Sequence, residues 1–153
     1  VLPVVMGGDL DDYWASGSGR TAKAGARGAF FHPITSYSLP EAVRLAAYVA
    51  TLPDFDGDKL NMLLKQRAEA LWSNGKYYRM LNRMLFRASE NGQRYKIFER
   101  FYRLKPGLIE RFYAGQSTGG DKARILSGKP PVPVGRAIKA LRPRKKVRVK
   151  GTA

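Results

Sequence analysis

The sequence predicts a mostly α-helical chain with a few short strands, and three observations point there. From residue 53 onward apolar side chains recur three and four positions apart, the period of a helix with one buried face. Those segments are separated by Gly-, Asn- and Pro-containing punctuation. Only two apolar runs, residues 1–8 and 29–31, are short enough to read as strands.

Taken in order, Val1-Leu2-Pro3-Val4-Val5-Met6 reads as a strand ending at Gly7-Gly8. Asp9 to Trp14 reads as a short helix or turn. Its aspartates read as caps rather than metal ligands, because no histidine or second carboxylate group lies nearby in sequence. Ala15 to Arg20 is a loop that lacks the GxxxxGK[ST] spacing of a phosphate cradle. Ala29 to Phe31 reads as a second strand, His32 to Ser38 as a turn, and Leu39 to Ala50 as a helix. Ser38 suits the N-cap and Pro40 the first helical turn, where a missing N–H costs nothing. Only Glu41 and Arg44 interrupt the apolar surface of this segment, which predicts a helix covered on most sides. Its free N–H groups and positive dipole end predict a site for an anion or an electron-rich ring edge.

Pro53 to Asp58 superficially resembles a calcium loop. Its glycine falls at the fourth position and Lys65 stands where the glutamate ligand belongs, so the segment reads as a solvated turn capping the next helix. Leu60, Leu63, Leu64, Arg67 and Leu71 follow helical spacing, and Asn74-Gly75 should end or kink that helix. Lys76 to Tyr113 is an aromatic and basic series of helices carrying Tyr77, Tyr78, Leu81, Met84 and Leu85, then Tyr95, Phe98, Phe101 and Tyr102, then Leu108, Ile109 and Phe112 behind Pro106. Helix–helix core is the expected fate of most of these side chains, and a lipid interface is the alternative for an aromatic-and-arginine surface. Gly119-Gly120-Asp121 caps a segment through Leu126, Lys129-Pro130-Pro131-Val132-Pro133 must be extended, and Arg136 to Lys150 is a polybasic tail.

The composition is that of a globular domain, 44% hydrophobic and 11% aromatic over 153 residues. The net charge of +16 favours a polyanionic partner, nucleic acid or an anionic bilayer face. Cysteine is absent, which excludes disulfides and thiolate chemistry. His32 is the single histidine, which excludes a Ser/His/Asp triad with a spare base, a His-rich metal site or an HExxH element, so no metal ligand is assigned. No apolar run reaches the length of a membrane span, and GxGxxG is missing.

The stretch Phe31-His32-Pro33-Ile34-Thr35-Ser36-Tyr37-Ser38-Leu39-Pro40 closely resembles the flavin-contacting motif of the bacterial lycopene β-cyclase family, Phe-His-Pro-x-Thr-Gly-Tyr-Ser-Leu-Pro. Arg79 to Phe86, Leu108 to Gly115 and Arg124 to Val134 resemble the same family in the same order, so the likeness runs over roughly residues 1 to 138. It implies the C-terminal fragment of a longer enzyme with an α/β, Rossmann-like FAD fold, and the start at Val1 in mid-strand agrees with that expectation. On that resemblance residues 1–24 would end a substrate-domain sheet and its connecting loop. Residues 25–52 would be the returning strand, flavin-contacting loop and helix of the FAD domain, 53–135 a C-terminal helical region, and 136–153 a basic tail.

The resemblance further implies cyclisation of the ends of lycopene to β-rings, via γ-carotene to β-carotene, with FAD kept reduced by NADPH or NADH and no net redox change. Lycopene and other acyclic-end carotenoids would be the substrates. The acid that delivers the proton would lie upstream of this sequence, and this chain alone would be inactive. The enzyme would be cytoplasmic and peripheral on the bacterial inner membrane, with an anionic membrane surface as partner. Pro33, Thr35, Ser36, Tyr37 and Ser38 would lie against the flavin ring, loop N–H groups aimed at its pyrimidine edge. Ser36 stands where the family pattern has glycine, and a positive φ there would strain it. A small basic nucleic-acid-binding module is the alternative from charge alone, without an RNP, KH or zinc-finger motif behind it.

Overall fold

The computed structural model describes residues 9–15, 21–88, 91–127 and 135. The strand expected at 1–8, the loop at 16–20, the strap at 129–133 and the tail at 136–153 lie outside the described residues. Among the described residues seven α-helices follow one another: α1 Leu10–Trp14, α2 Leu39–Val49, α3 Gly57–Asn74, α4 Lys76–Arg83, α5 Arg94–Tyr102, α6 Pro106–Tyr113 and α7 Gly119–Leu126. A 3-10 turn, Gly25–Gly28, precedes α2, and a π-helical turn, Met84–Ala88, continues α4.

Local chemistry explains the helix starts. Asp9 caps α1 through a capping box with Asp12. Asp56 accepts from the Lys59 amide at 2.9 Å at the start of α3, while Asp54 pairs with the Lys59 ammonium, also at 2.9 Å. Thr118 and Asp121 form a second capping box on α7. The acidic turn at 53–58 is thus a cap and a solvated ion pair.

There is no β-strand among the described residues, so the expectation of a strand at 29–31 is corrected. A strand needs a neighbour to take its amides, and here they are used locally. Ala29 N donates to the Ala26 carbonyl, Phe30 N to that of Gly25, and Phe31 N to that of Ala29, with Ala29 at φ 64 in the left-handed region. What looked like a buried strand is a buried turn. It delivers Ala29, Phe30 and Phe31 into the core with Leu10, Trp14, Leu45, Leu64 and Ala68.

The second correction concerns α2. Within it Leu45 is its buried side chain, whereas Leu39 is 57% and Val43 61% exposed. Its two charged residues, expected to be mere interruptions, fix the orientation. Arg44 pairs with Glu41 and donates to the Ala114 carbonyl at 3.1 Å, so this polar pair is held against the protein while Leu45, with Tyr48 and Val49 beside it, packs on the core and Leu39 and Val43 are left out in solvent. The aromatic series divides similarly. Tyr78, Leu108 and Phe112 are core, but α5 has no buried residue and exposes Tyr95, Phe98 and Tyr102. No helix among the described residues is long and apolar enough to cross a membrane.

Candidate functional site

The turn between Phe31 and α2 is closed by its own hydrogen bonds. His32 N donates to the Tyr37 carbonyl and Ser36 N to the His32 carbonyl, both at 2.9 Å. The His32 ring joins in, since Nδ1 lies 3.3 Å from the Ile34 amide, 3.4 Å from the Thr35 amide and 3.3 Å from Thr35 Oγ1, which in turn accepts from Tyr37 N at 3.2 Å. Nδ1 as acceptor leaves the ring proton on Nε2 in the neutral form. Ser36 sits at φ 58, so serine holds a left-handed position that glycine occupies without strain.

Three distant segments brace this turn. Asn82 on α4 is fully buried, and its Nδ2 donates to the Pro33 carbonyl. Tyr78, one turn earlier, packs tilted against the His32 ring at 4.5 Å between centroids, and its hydroxyl accepts from the Ser117 amide at 3.0 Å. Phe112 on α6 packs against both rings at 5.4 Å. Helix α6 then ends in a Schellman cap. Gly115 at φ 70 donates to the Phe112 carbonyl and Gln116 to the Arg111 carbonyl, which brings Gly115 alongside His32. Beyond it Asp121 holds Arg111 by two bonds of 2.7 Å and caps α7, and this guanidinium keeps the carboxyl well below the usual carboxylate range.

A shallow, open pocket of about 30 Å³ lies beside the turn. It is lined by His32, Pro33, Tyr37 and Pro40, by Trp72, Gly75, Tyr78 and Arg79, and by Tyr113 to Gly115. Of the residues expected to touch a ring, Pro33 and Tyr37 line this pocket. Thr35, Ser36 and Ser38 do not, and the first two instead close the turn. The amides of Ile34, Thr35, Ser36 and Tyr37 are all engaged inside the turn; from the first turn of α2, Pro40, which has no N–H, and Glu41 line the pocket. Ser38 occupies the N-cap without its side chain capping the helix, and Pro40 takes the first turn as expected.

The pocket has little acid–base chemistry near neutrality. Burial pushes His32 down to about 4; the Phe112 carbonyl opposes this in part but does not reach hydrogen-bond geometry with Nε2. Burial, with the Tyr102 hydroxyl 2.5 Å away, raises Tyr113 to about 12. Among the described residues no group of three or more His, Asp or Glu side chains is placed to hold a metal ion.

Asn82, Tyr78 and Arg79 were missed as site residues. They lie on a helix 40 or more residues beyond the turn. The signal that could have found them is that the stretches Arg79 to Phe86 and Leu108 to Gly115, which carry the family likeness, meet the first stretch around His32.

A family model described as lycopene cyclase protein matches residues 1–139. The chain is 45% identical over 139 residues to a lycopene beta-cyclase of Pseudescherichia vulneris, covering 91% of this chain and 36% of that protein. It is 42% identical over 142 residues to the lycopene beta-cyclase of Paracoccus sp. (strain N81106 / MBIC 01143), covering 92% and 37%, and 42% identical over 140 residues to that of Pantoea ananas, covering 92% and 36%. The chain therefore spans little more than a third of the length of these relatives. No solved structure matches it. None of these findings supports a nucleic-acid-binding module.

Proposed function

Because this chain belongs to the lycopene cyclase protein family, we propose that it forms the C-terminal part of a lycopene β-cyclase. That enzyme converts the acyclic ends of lycopene and related carotenoids to β-rings, giving β-carotene through γ-carotene. The observation that carries this reading is the meeting of three family-like stretches around one turn, beside a pocket and a helix start without a side-chain cap.

Those features support a reading in which the edge of a flavin ring lies against this turn. Bound as FAD and kept reduced by NADPH or NADH, it would supply an electron-rich, negatively charged ring to a cyclisation without net redox change. Pro33 and Tyr37 would press on the ring, while Thr35, Ser36 and Ser38 would hold the turn and the helix start in place. The α2 dipole would favour negative charge at the ring edge. On this reading the surrounding protein is an α/β flavoprotein of the Rossmann-like type. Residues 1–24 then belong to its substrate-domain sheet and connecting loop, 25–52 to its FAD domain, 53–135 to a C-terminal helical region and 136–153 to a basic tail.

The substrate dissolves in lipid, and α5 suits a peripheral position on the cytoplasmic face of a bacterial inner membrane. Tyr95, Phe98 and Tyr102 share one exposed face, with Arg94, Lys96, Arg103 and Lys105 around it.

The test is an exchange protein in which this chain replaces the corresponding region of the Pantoea ananas cyclase, expressed in a lycopene-accumulating bacterium. Formation of β-carotene is expected. A stable exchange protein that leaves lycopene untouched contradicts the assignment.

A further inference from the structure

Arg79 is out of keeping with its surroundings. It is 7% exposed, and its Nη1 has no hydrogen-bond partner. Its guanidinium lies 4.2 Å over the Trp72 ring, and it has no ion-pair carboxylate among the described residues. Glu41, which also lines the pocket, is occupied by Arg44. Burial and the neighbouring Arg83 both disfavour the charge on Arg79. An isolated buried cation is costly, and an aromatic face offsets only part of that cost. Yet the backbone is shaped around it. A Cβ on Gly75 would fall 2.8 Å from Arg79 Nη1 and 3.2 Å from Pro33 Cγ, so glycine leaves the space in which the guanidinium sits under the turn.

Arg79 and, from the first turn of α2, Pro40 and Glu41 line the same pocket. The helix start brings a positive dipole end with no side-chain cap on it. We propose that this pocket is an anion site in which Arg79 supplies the countercharge and the start of α2 the positive end of its dipole. Resting on the flavin reading above, the anion is the edge of the reduced ring; a free phosphate carries the same chemistry. Arg79 then acts as a preference-setting residue, favouring the reduced, negatively charged ring over the oxidised, neutral one, and its own buried charge is compensated only when the site is filled.

The experiment has two arms. In the first, this chain in a Trp14→Phe background is titrated with inorganic phosphate at constant ionic strength, with Trp72 fluorescence as the signal and chloride as the control. A saturable response is expected, weakened about tenfold or more in Arg79→Met and partly kept in Arg79→Lys. Arg79→Met should melt no lower than the parent, since it removes an uncompensated buried charge; a clear fall in melting temperature gives Arg79 a structural role and overturns the proposal. In the second arm, the flavin reduction potential of the exchange protein is measured with and without Arg79→Met. The preference for reduced over oxidised flavin should fall about tenfold, the low end of what a nearby opposite charge does. Arg79-dependent phosphate binding in a chain whose exchange protein holds no flavin supports the anion site and removes the flavin reading. A phosphate response or a flavin potential indifferent to Arg79→Met overturns the proposal and leaves the flavin reading standing.

Discussion

The floor beneath the His32 turn and the outer face of α2 are built from the same kinds of residue and end in opposite environments. Beneath the turn, Tyr78 and Phe112 are buried against the His32 ring and each other, and Phe30, Phe31 and Leu108 are buried as well. On α2, Leu39 and Val43 lie open. Hydrophobicity does not separate the two regions; polar anchors do. Asn82 ties α4 to the Pro33 carbonyl, the Tyr78 hydroxyl ties it to Ser117, and Arg44 ties the polar stripe of α2 to Ala114. Buried polar bonds have strict geometry and are expensive to leave unmade, so they decide which way a helix turns once enough apolar surface is available elsewhere.

The contrast can be broken most forcefully at Phe112. Phe112→Ala opens a cavity against His32, Tyr78 and Phe101, and should cost about 3–5 kcal/mol in urea unfolding. A loss below about 1 kcal/mol would mean the floor is not packed as described.

His32 gives the next effect, and it depends on pH. Its folded pKa is lowered from 6.5 to about 4, so the unfolded chain binds more protons between those values and stability rises with pH there. Stability should be fully present above pH 6.5 and fall by up to about 3 kcal/mol as pH drops to 4. Urea midpoints across that window should flatten in His32→Gln. An unchanged slope would place the titration elsewhere.

Asn82→Ala leaves the Pro33 carbonyl without its side-chain donor in a buried position, at a cost of about 1–3 kcal/mol. Amide hydrogen exchange should show the turn at 34–37 opening more often in that variant while α7 keeps its protection. The smallest effect sharpens the contrast from the other side. Val43→Ser on the open face should change the stability of this chain by no more than about 0.5 kcal/mol. A larger loss would show that this face is covered in solution.

Helices were legible in the sequence wherever a cap announced them. Asp9, Asp56 and Pro106 each stand at a start, and Gly75 lies where α3 gives way to α4. The strand expected at Ala29 to Phe31 failed because a three-residue apolar run fits a buried turn equally well, and only the hydrogen-bond partners distinguish them. The covering of α2 failed because periodicity reports which residues are apolar, not which stripe the polar anchors hold inward. The same limit hid Asn82, whose partner is 49 residues away. What could be read was the turn itself, including the positive φ at Ser36 that a glycine position in the family pattern implied.

The central claim is that this turn forms the flavin-facing wall of the pocket, and Ser36 tests it most directly. Proline at 36 cannot adopt a φ near 58 and removes the amide that closes the turn on the His32 carbonyl, whereas glycine keeps both. The measurement is the flavin reduction potential of the exchange protein, taken together with β-carotene formation. The account predicts that Ser36→Pro lowers both and that Ser36→Gly leaves them level or raised. A folded Ser36→Pro protein with unchanged potential and unchanged β-carotene would contradict it.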